Sequence, residues 1–350
     1  MDEQFHNVSA EPSKSASNSG DEHSSVLTRK LRIYGAGGAG TNRVSEFMQR
    51  QQPSANRAKI MPSILDTSRS NLRGAKIPED CLYLVPDLDG SGKLRHENHG
   101  EISKTIRQML NQIPPQEFNL VVFSASGGSG SVIGPLIIKE LIERALPVVG
   151  VVIGSYESVI SSENTIKTLQ SLESIAQNTK TPVVISYHHN ELNESRLVTD
   201  KSVDAFMGLF STLVSGENLE IDYKDIENFI NFTRVSGKPQ LATIHAASDE
   251  DTLNKVTAPV SIASLYTSPD RHHAVTSADY VTVGYGDLSS YELDQLHFAI
   301  TVNDIEKIVN DIRTKVRQIK DNQQSRIERD SLVDSIDEVK GRQSDDGLVL

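Results

Sequence analysis

Two glycine-rich turns, each lying between an apolar strand and a helix-forming stretch, set the architecture of the first half of this chain. Gly35-Ala36-Gly37-Gly38-Ala39-Gly40-Thr41-Asn42 follows the apolar residues 31–34, and Ser126-Gly127-Gly128-Ser129-Gly130-Ser131 follows residues 120–125. The first turn of a helix carries backbone N–H groups without intrahelical acceptors and a partial positive charge, so a turn of this kind favours an anion. Two of them in one α/β domain direct several N–H groups at one polyanion, and the phosphates of a nucleotide are the expected ligand.

Around these turns, short apolar runs at residues 31–34, 59–65, 81–85, 118–125, 147–153 and 182–187 alternate with longer helical stretches. That alternation is the sequence form of a doubly wound, mostly parallel sheet. Ligands of such sheets sit outside the carboxyl ends of the strands. Both glycine turns fall there, as does the polar loop Pro86-Asp87-Leu88-Asp89-Gly90-Ser91-Gly92.

A long helix is expected over about residues 196–215, where Leu197, Val203, Phe206, Met207, Phe210, Leu213 and Val214 form a broad apolar face. Phe206 and Phe210 could stack on a base, but their spacing favours core packing. Beyond Gly237, residues 241–246, 256–266 and 274–284 read as strands of a smaller α+β domain. A second long helix is expected from Tyr291, with Leu293, Leu296, Ile300, Ile305, Ile308, Ile312, Val316 and Ile319 at near-helical spacing and no glycine or proline before residue 341. From Asp321 onward there are eight acidic and four basic side chains, the composition of a solvated extension that could also serve a polymer contact.

A chain of 350 residues with 37% apolar composition can bury a large core in one large or two mid-sized domains. The formal charge of −12 argues against a general nucleic-acid or membrane-surface binder. Cys81 is the only cysteine, which excludes an internal disulfide and cysteine-built zinc clusters and suits a reducing, cytoplasmic compartment. Residues 1–20 are polar and serine-rich, so a mobile tail is expected over 1–28 rather than a signal peptide or membrane span. The pairs His188-His189 and His272-His273 lack the i, i+4 spacing of a helical metal site, and solvated loop histidines are the simpler reading.

Residues 35–40 satisfy G-x-G-x-x-G, and Asp66 at the end of the next strand could hydrogen-bond a ribose, so an NAD-dependent dehydrogenase is the rival reading. That motif predicts nothing like the second turn. A P-loop enzyme is disfavoured because Gly90-Ser91-Gly92-Lys93 is followed by Leu94, lacks the upstream glycine and does not directly follow a strand.

The two turns in this order resemble the tubulin/FtsZ superfamily, whose nucleotide is cradled by a series of loops at the strand ends. Residues 35–42 look like the family's first loop, which implies nucleotide contacts from Gly37, Gly38, Ala39, Gly40, Thr41 and Asn42. Asp66-Thr67-Ser68-Arg69-Ser70-Asn71-Leu72 is similar to the second loop's Asn-Thr-Asp-x-Gln-x-Leu, departing at Asp66, Ser68 and Ser70 and implying contacts from Thr67 and Ser68. Asp89, Gly90, Ser91 and Gly92 sit where the third loop meets the terminal phosphate. Ser126, Gly127, Gly128, Ser129, Gly130 and Ser131 resemble Gly-Gly-Gly-Thr-Gly-Ser/Thr-Gly, with Ser126, Ser129 and Val132 as departures.

By the same resemblance Glu157, in Ser155-Tyr156-Glu157, contacts the ribose, although the arginine position that follows falls on Ser161. Asn190, in Asn190-Glu191-Leu192, and Asp200 would contact the base. Residues 219–225, Leu-Glu-Ile-Asp-Tyr-Lys-Asp, resemble the Asn-x-Asp-x-x-Asp loop that one subunit inserts into its neighbour's nucleotide site. Asp222 and Asp225 are retained, and Glu220 replaces the asparagine. All three are candidate catalytic residues, and a carboxylate there can orient the attacking water while N–H groups and Mg2+ offset developing charge. The plainer reading of Asp222 and Asp225 is an N-cap at the next helix, and both readings can hold together.

The resemblance implies GTP/GDP and Mg2+ as cofactors, GTP hydrolysis dependent on assembly, and a head-to-tail homopolymer with no membrane or direct nucleic-acid partner. The truncated second turn and long acidic C-terminal helix look most like the tubulins of large bacteriophages, whose filaments position viral DNA or its compartment in the host cytoplasm. Plasmid-segregating tubulin-like filaments are the alternative within the superfamily, and a non-catalytic binding protein is another. The organisation expected is a tail at 1–28, a GTP-binding domain at 29–195, a central helix and catalytic loop at 196–236, a C-terminal α+β domain at 237–290, and a C-terminal helix with acidic tail at 291–350.

Overall fold

A computed structural model describes residues 29–50, 56–190, 194–235, 237–272 and 276–327. The expected N-terminal tail, Glu191 and Leu192 of the sixth loop, His273, and the acidic residues from 328 lie outside the described residues.

Six strands alternating with five helices open the fold: β1 (Lys30–Ala36), α1 (Gly37–Arg50), β2 (Lys59–Asp66), α2 (Arg69–Arg73), β3 (Leu82–Leu84), α3 (His99–Gln112), β4 (Phe118–Ser124), α4 (Gly130–Glu143), β5 (Val148–Ser155), α5 (Val159–Thr179) and β6 (Val183–Asn190). The central strands β1, β4 and β5 are buried on both faces, which is why they read as mostly apolar runs, broken only by the buried Arg32 and Asn119, rather than alternating ones. They pair in parallel in the order β3-β2-β1-β4-β5-β6. This doubly wound order reverses between β1 and β4, where a crevice opens at the carboxyl ends. One face packs on α1 and α6 (Arg196–Leu213) through Leu31, Ile33, Val122, Val151, Phe206 and Phe210. The other packs on α3, α4 and α5 through Tyr34, Phe123, Ile133, Ile137 and Leu169.

The chain continues through α7 (Tyr223–Ile230), β7 (Leu241–Ala247), α8 (Glu250–Leu253), β8 (Ser261–Tyr266), β9 (Tyr280–Tyr285), β10 (Gln295–Thr301) and α9 (Asp304–Ile327). Its four strands extend the same sheet: β7 pairs in parallel with β6, β10 runs antiparallel between β7 and β8, and β9 closes the edge parallel to β8.

The structure corrects four expectations here. Residues 295–301 are strand β10 rather than the start of a helix, and α9 begins at Asp304. Leu296, Phe298 and Ile300 alternate with Gln295, His297 and Thr301, the period of a strand, but Leu296 and Ile300 also continue the helical interval set by Leu293, and that coincidence hid the strand. β8 starts at Ser261, after a turn in which Ala258 holds φ +46°, and β9 starts at Tyr280. Leu197 is not part of the buried face of α6, since it is 48% exposed.

Candidate nucleotide site

The crevice at the switch point holds a cavity of about 440 Å3. Its walls are the β1–α1 turn (Ala36, Gly38, Ala39), the second loop (Asp66, Ser68, Asn71), the third loop (Gly90, Ser91, Lys93), the β4–α4 turn (Ser124, Ser126, Gly127, Gly128, Ser129, Gly130), and Ile153, Ser155, Glu157, Asn190 and Arg196. A volume of this size suits a nucleotide.

The two glycine turns touch, and the contact explains why they are glycine. Gly37 sits at φ +68°, and a Cβ there would lie 2.5 Å from the Gly130 nitrogen. A Cβ on Gly130 would lie 2.8 Å from the Ala36 oxygen. Only residues without side chains let the start of α1 and the start of α4 approach so closely, and the approach aims two sets of unpaired N–H groups into one cavity.

A chain of hydroxyls ties the loops together: Thr67 Oγ1 bonds Ser129 Oγ, and Ser129 Oγ lies 3.0 Å from Ser91 Oγ. Beneath it Asp66 is buried and accepts from Thr67 N (2.7 Å), Ser68 N (3.2 Å), Asn71 Nδ2 (2.8 Å) and Thr41 Oγ1 (3.4 Å). Burial pushes its carboxyl above the usual range, and these donors pull the other way.

Several of the expected contact residues do not line the cavity. Thr41 and Thr67 are buried supports of Asp66 and Ser129, and Ser131 donates to the Gly128 carbonyl. Gly37 and Gly40 are buried in the packing of the first turn, and Asp89 and Gly92 are exposed on the third loop without lining the cavity. Asn42 and Asp200 line an adjoining recess of about 340 Å3 that shares Ala39, Ile153, Asn190 and Arg196 with the cavity. There Asp200 meets Arg43 Nε at 3.1 Å, and Arg43, nearly buried, also contacts Glu46 at 2.6 Å and Asp204 at 3.7 Å. Glu157 forms an ion pair with Arg196.

Arg43 and Arg196 carry no sequence motif, Asn71 falls at a variable position of the second loop and Lys93 just beyond the third, and all four reach the site through tertiary placement. His188 lies between Ser186 Oγ (2.8 Å) and Ser202 Oγ (3.0 Å), and among the described residues there is no cluster of three ligating side chains.

The loop carrying Glu220, Asp222 and Asp225 lies at the other end of the sheet. α6 starts at the cavity with Arg196 and runs 18 residues, or about 27 Å, to the amino ends of the strands, where Ser211 O accepts from Ala58 N at 2.9 Å. Asn218 Nδ2 caps the end of α6 through the carbonyls of Thr212 (2.7 Å) and Leu213 (3.0 Å). Leu219 then pairs with Tyr285 of β9, and Glu220 turns the chain at φ +59°. Asp222 is the N-cap of α7: its Oδ1 accepts from Lys224 N (2.6 Å) and Asp225 N (3.0 Å), and Asp225 Oδ2 accepts from Asp222 N (2.8 Å). These N–H groups, with Arg29 nearby, hold the Asp222 carboxyl below its usual range. Asp225 Oδ1 accepts from Tyr280 OH at 3.2 Å, so both its oxygens are engaged. Asp222 is exposed, and its Oδ2 takes no bond among the described residues.

A switch-point cavity lined by two glycine turns, with a carboxylate loop at the far end of a long helix, defines a class. Residues 30–191 match the Tubulin/FtsZ family GTPase domain, and residues 221–305 match the phage tubulin-like protein C-terminal domain. The chain is 30% identical over 312 residues to a phage tubulin-like protein of Pseudomonas phage phiKZ, covering 85% of this chain and 93% of that one. Among solved structures, a protofilament of TubZ from bacteriophage PhiKZ superposes with a TM-score of 0.79 at 30% identity, over 86% of this chain and 94% of that chain. The phage tubulin PhuZ with GDP gives 0.78 at 25% identity, over 91% and 99%. The chain belongs to the phage tubulin-like proteins of the tubulin/FtsZ family. A dehydrogenase shares the order of the first six strands but not this family, and that alternative is not favoured.

Proposed function

We propose that this protein binds and hydrolyses GTP and polymerises head to tail into a filament that positions phage DNA or its compartment in the host cytoplasm. The observation that carries the reading is the separation of the phosphate cradle and the carboxylate loop to opposite ends of α6. One molecule has no route by which Asp222 reaches its own terminal phosphate, whereas a second copy stacked on the cavity end brings its loop there. Such a contact is heterologous, and it propagates into a filament where its rotation does not close. The solved relatives described as a protofilament and as a GDP-bound phage tubulin support this assembly and this ligand.

Within the reading, N–H groups of both glycine turns bind the phosphates, with Lys93 adding a positive charge in the cavity wall. Glu157 meets the ribose, and Asn190 and Asp200 border the base. Asp222 orients and partly deprotonates the attacking water, Asp225 fixes the loop, and Glu220 adds a second exposed carboxylate. Ser68 and Ser91, with the buried Asp66 holding the loop behind them, are the oxygen groups of the cavity that would hold Mg2+ together with the phosphates, where the ion would offset charge on the terminal phosphate.

The test is light scattering of the purified protein on adding GTP, ATP or NAD with Mg2+, with phosphate release followed in parallel. A rise specific to GTP that decays as phosphate appears is the expected result. Stoichiometric NAD binding with no scattering would overturn the proposal.

A further inference from the structure

A groove of about 660 Å3 lies beside the nucleotide cavity, between the end of the third loop, the start of α3 and the first half of α5. The two spaces share Lys93. Asn164 of α5 also joins them: it is buried at the groove, and its Nδ2 donates to the carbonyl of Lys93 at 3.0 Å and to that of Ser126, a cavity residue, at 3.3 Å. Lys93, Arg95 and Lys167 line the groove. Arg95 is half-buried and donates from Nη2 to Ser171 Oγ at 2.7 Å, and it forms no ion pair among the described residues. Burial pushes its guanidinium below the usual range, with no carboxylate acting the other way. Glu163, the one carboxylate lining the groove, is already ion-paired with Lys320 of α9 at 3.0 Å. In a chain of net charge −12, cations gathered here without counter-ions run against the overall balance. Leu94 and Ile160 add apolar walls, and low-dielectric walls concentrate the field of such cations on an anion.

We propose that this groove is an exit site for inorganic phosphate, in which Arg95, Lys93 and Lys167 receive the phosphate that hydrolysis forms in the neighbouring cavity. The inference rests on the hydrolysis reading above. A second copy seated on the cavity end covers its mouth, so phosphate formed beneath that copy needs a way out at the side. Lys93 borders both spaces and can follow the anion from one to the other. Arg95 then offers the planar, paired donors that fit an oxyanion, and Lys167 adds a point charge at the exposed side. A half-buried guanidinium without a carboxylate is costly to maintain in an empty groove, and a phosphate oxygen supplies the acceptor that it lacks.

The test has two parts, both on the full-length protein. Equilibrium dialysis of radiolabelled orthophosphate against the GDP-loaded protein, at constant ionic strength, should show saturable binding. Arg95→Gln removes a charge-assisted bond and should bind phosphate about tenfold more weakly. Lys167→Gln, an exposed substitution that leaves the fold alone, should weaken it about threefold. GDP affinity should be unchanged in both, because neither residue lines the cavity. In a single turnover of assembled protein, GDP formation read after acid quench should keep its wild-type rate in Arg95→Gln, while free phosphate, read with a fluorescent sensor, should appear at least about threefold later. Phosphate that does not bind the wild type, or that binds both variants as tightly as the wild type, would overturn the site. Phosphate that appears in step with GDP in Arg95→Gln as it does in the wild type would overturn its role in exit. A wild type that forms no GDP from GTP would instead contradict the hydrolysis reading, so the two failures are distinguishable.

Discussion

Asp222 holds two positions at once, as the N-cap of α7 and as the carboxylate offered to a neighbouring molecule, and two substitutions separate them. Asp222→Ala removes the acceptor of two N–H bonds, at 2.6 and 3.0 Å, and half of the capping box. Loss of such a cap costs about 1–2 kcal/mol. Asp222→Asn keeps a side-chain oxygen in the same place and caps about as well, so its stability should stay within about 0.5 kcal/mol of the wild type. Neither variant retains the exposed carboxylate oxygen. A positioned base contributes about 10²- to 10⁴-fold to a hydrolytic step, so both should lose at least about 100-fold in GTP turnover. Nucleotide affinity should be unchanged in both, because the loop stands about 27 Å along α6 from the cavity. Urea unfolding reads the cap, phosphate release under saturating GTP reads the base, and over-stable filaments should accompany lost turnover. An Asn variant that hydrolyses GTP at the wild-type rate while the Ala variant does not would show that Asp222 acts only as a cap, and the catalytic assignment would fail.

Gly37→Ala places a Cβ 2.5 Å from the Gly130 nitrogen at a φ of +68°, and the strained turn should cost about 1–2 kcal/mol of stability and at least tenfold in GDP affinity, read by thermal unfolding and titration. Arg43→Gln removes the cation shared by Asp200, Asp204 and Glu46, so α6 should loosen from α1 with a loss of about 3 kcal/mol, measured by urea unfolding; an unchanged midpoint would refute it. His188 is pushed down to about 4, first by burial and then by His245 nearby. The unfolded chain takes up a proton near the ordinary pH 6.5 that the native state refuses until about pH 4, so stability is full above that range and falls on acidification. Allowing for its partial exposure the loss should be about 2 kcal/mol between pH 7 and pH 4, and His188→Asn should flatten that slope.

The parallel strands and both glycine turns were legible because each is a local pattern: a mostly apolar run, then glycines where a helix must start. β10 was not, since its alternation of Leu296, Phe298 and Ile300 with Gln295, His297 and Thr301 is short, and Leu293, Leu296 and Ile300 mimic a helical stripe that continues into α9. At the site, the backbone cradle could be read along the chain, as could the loop at 219–225. Asp200 could be placed beside the site, but its engagement by Arg43 is a contact between α1 and α6 that no spacing encodes. Arg196 and Lys93 escaped for the same reason, because each enters the cavity from a loop or helix start whose position is set by packing elsewhere. Thr41 and Thr67 show the converse: they fall within the matching motifs yet act as buried supports.

The central claim is that the catalytic site is complete only between two copies. Phosphate release per molecule, measured under saturating GTP and Mg2+ across a wide range of protein concentration, tests it most directly. The account predicts negligible turnover below a critical concentration and a steep rise above it that coincides with filament formation; turnover per molecule that is the same at every concentration would contradict it.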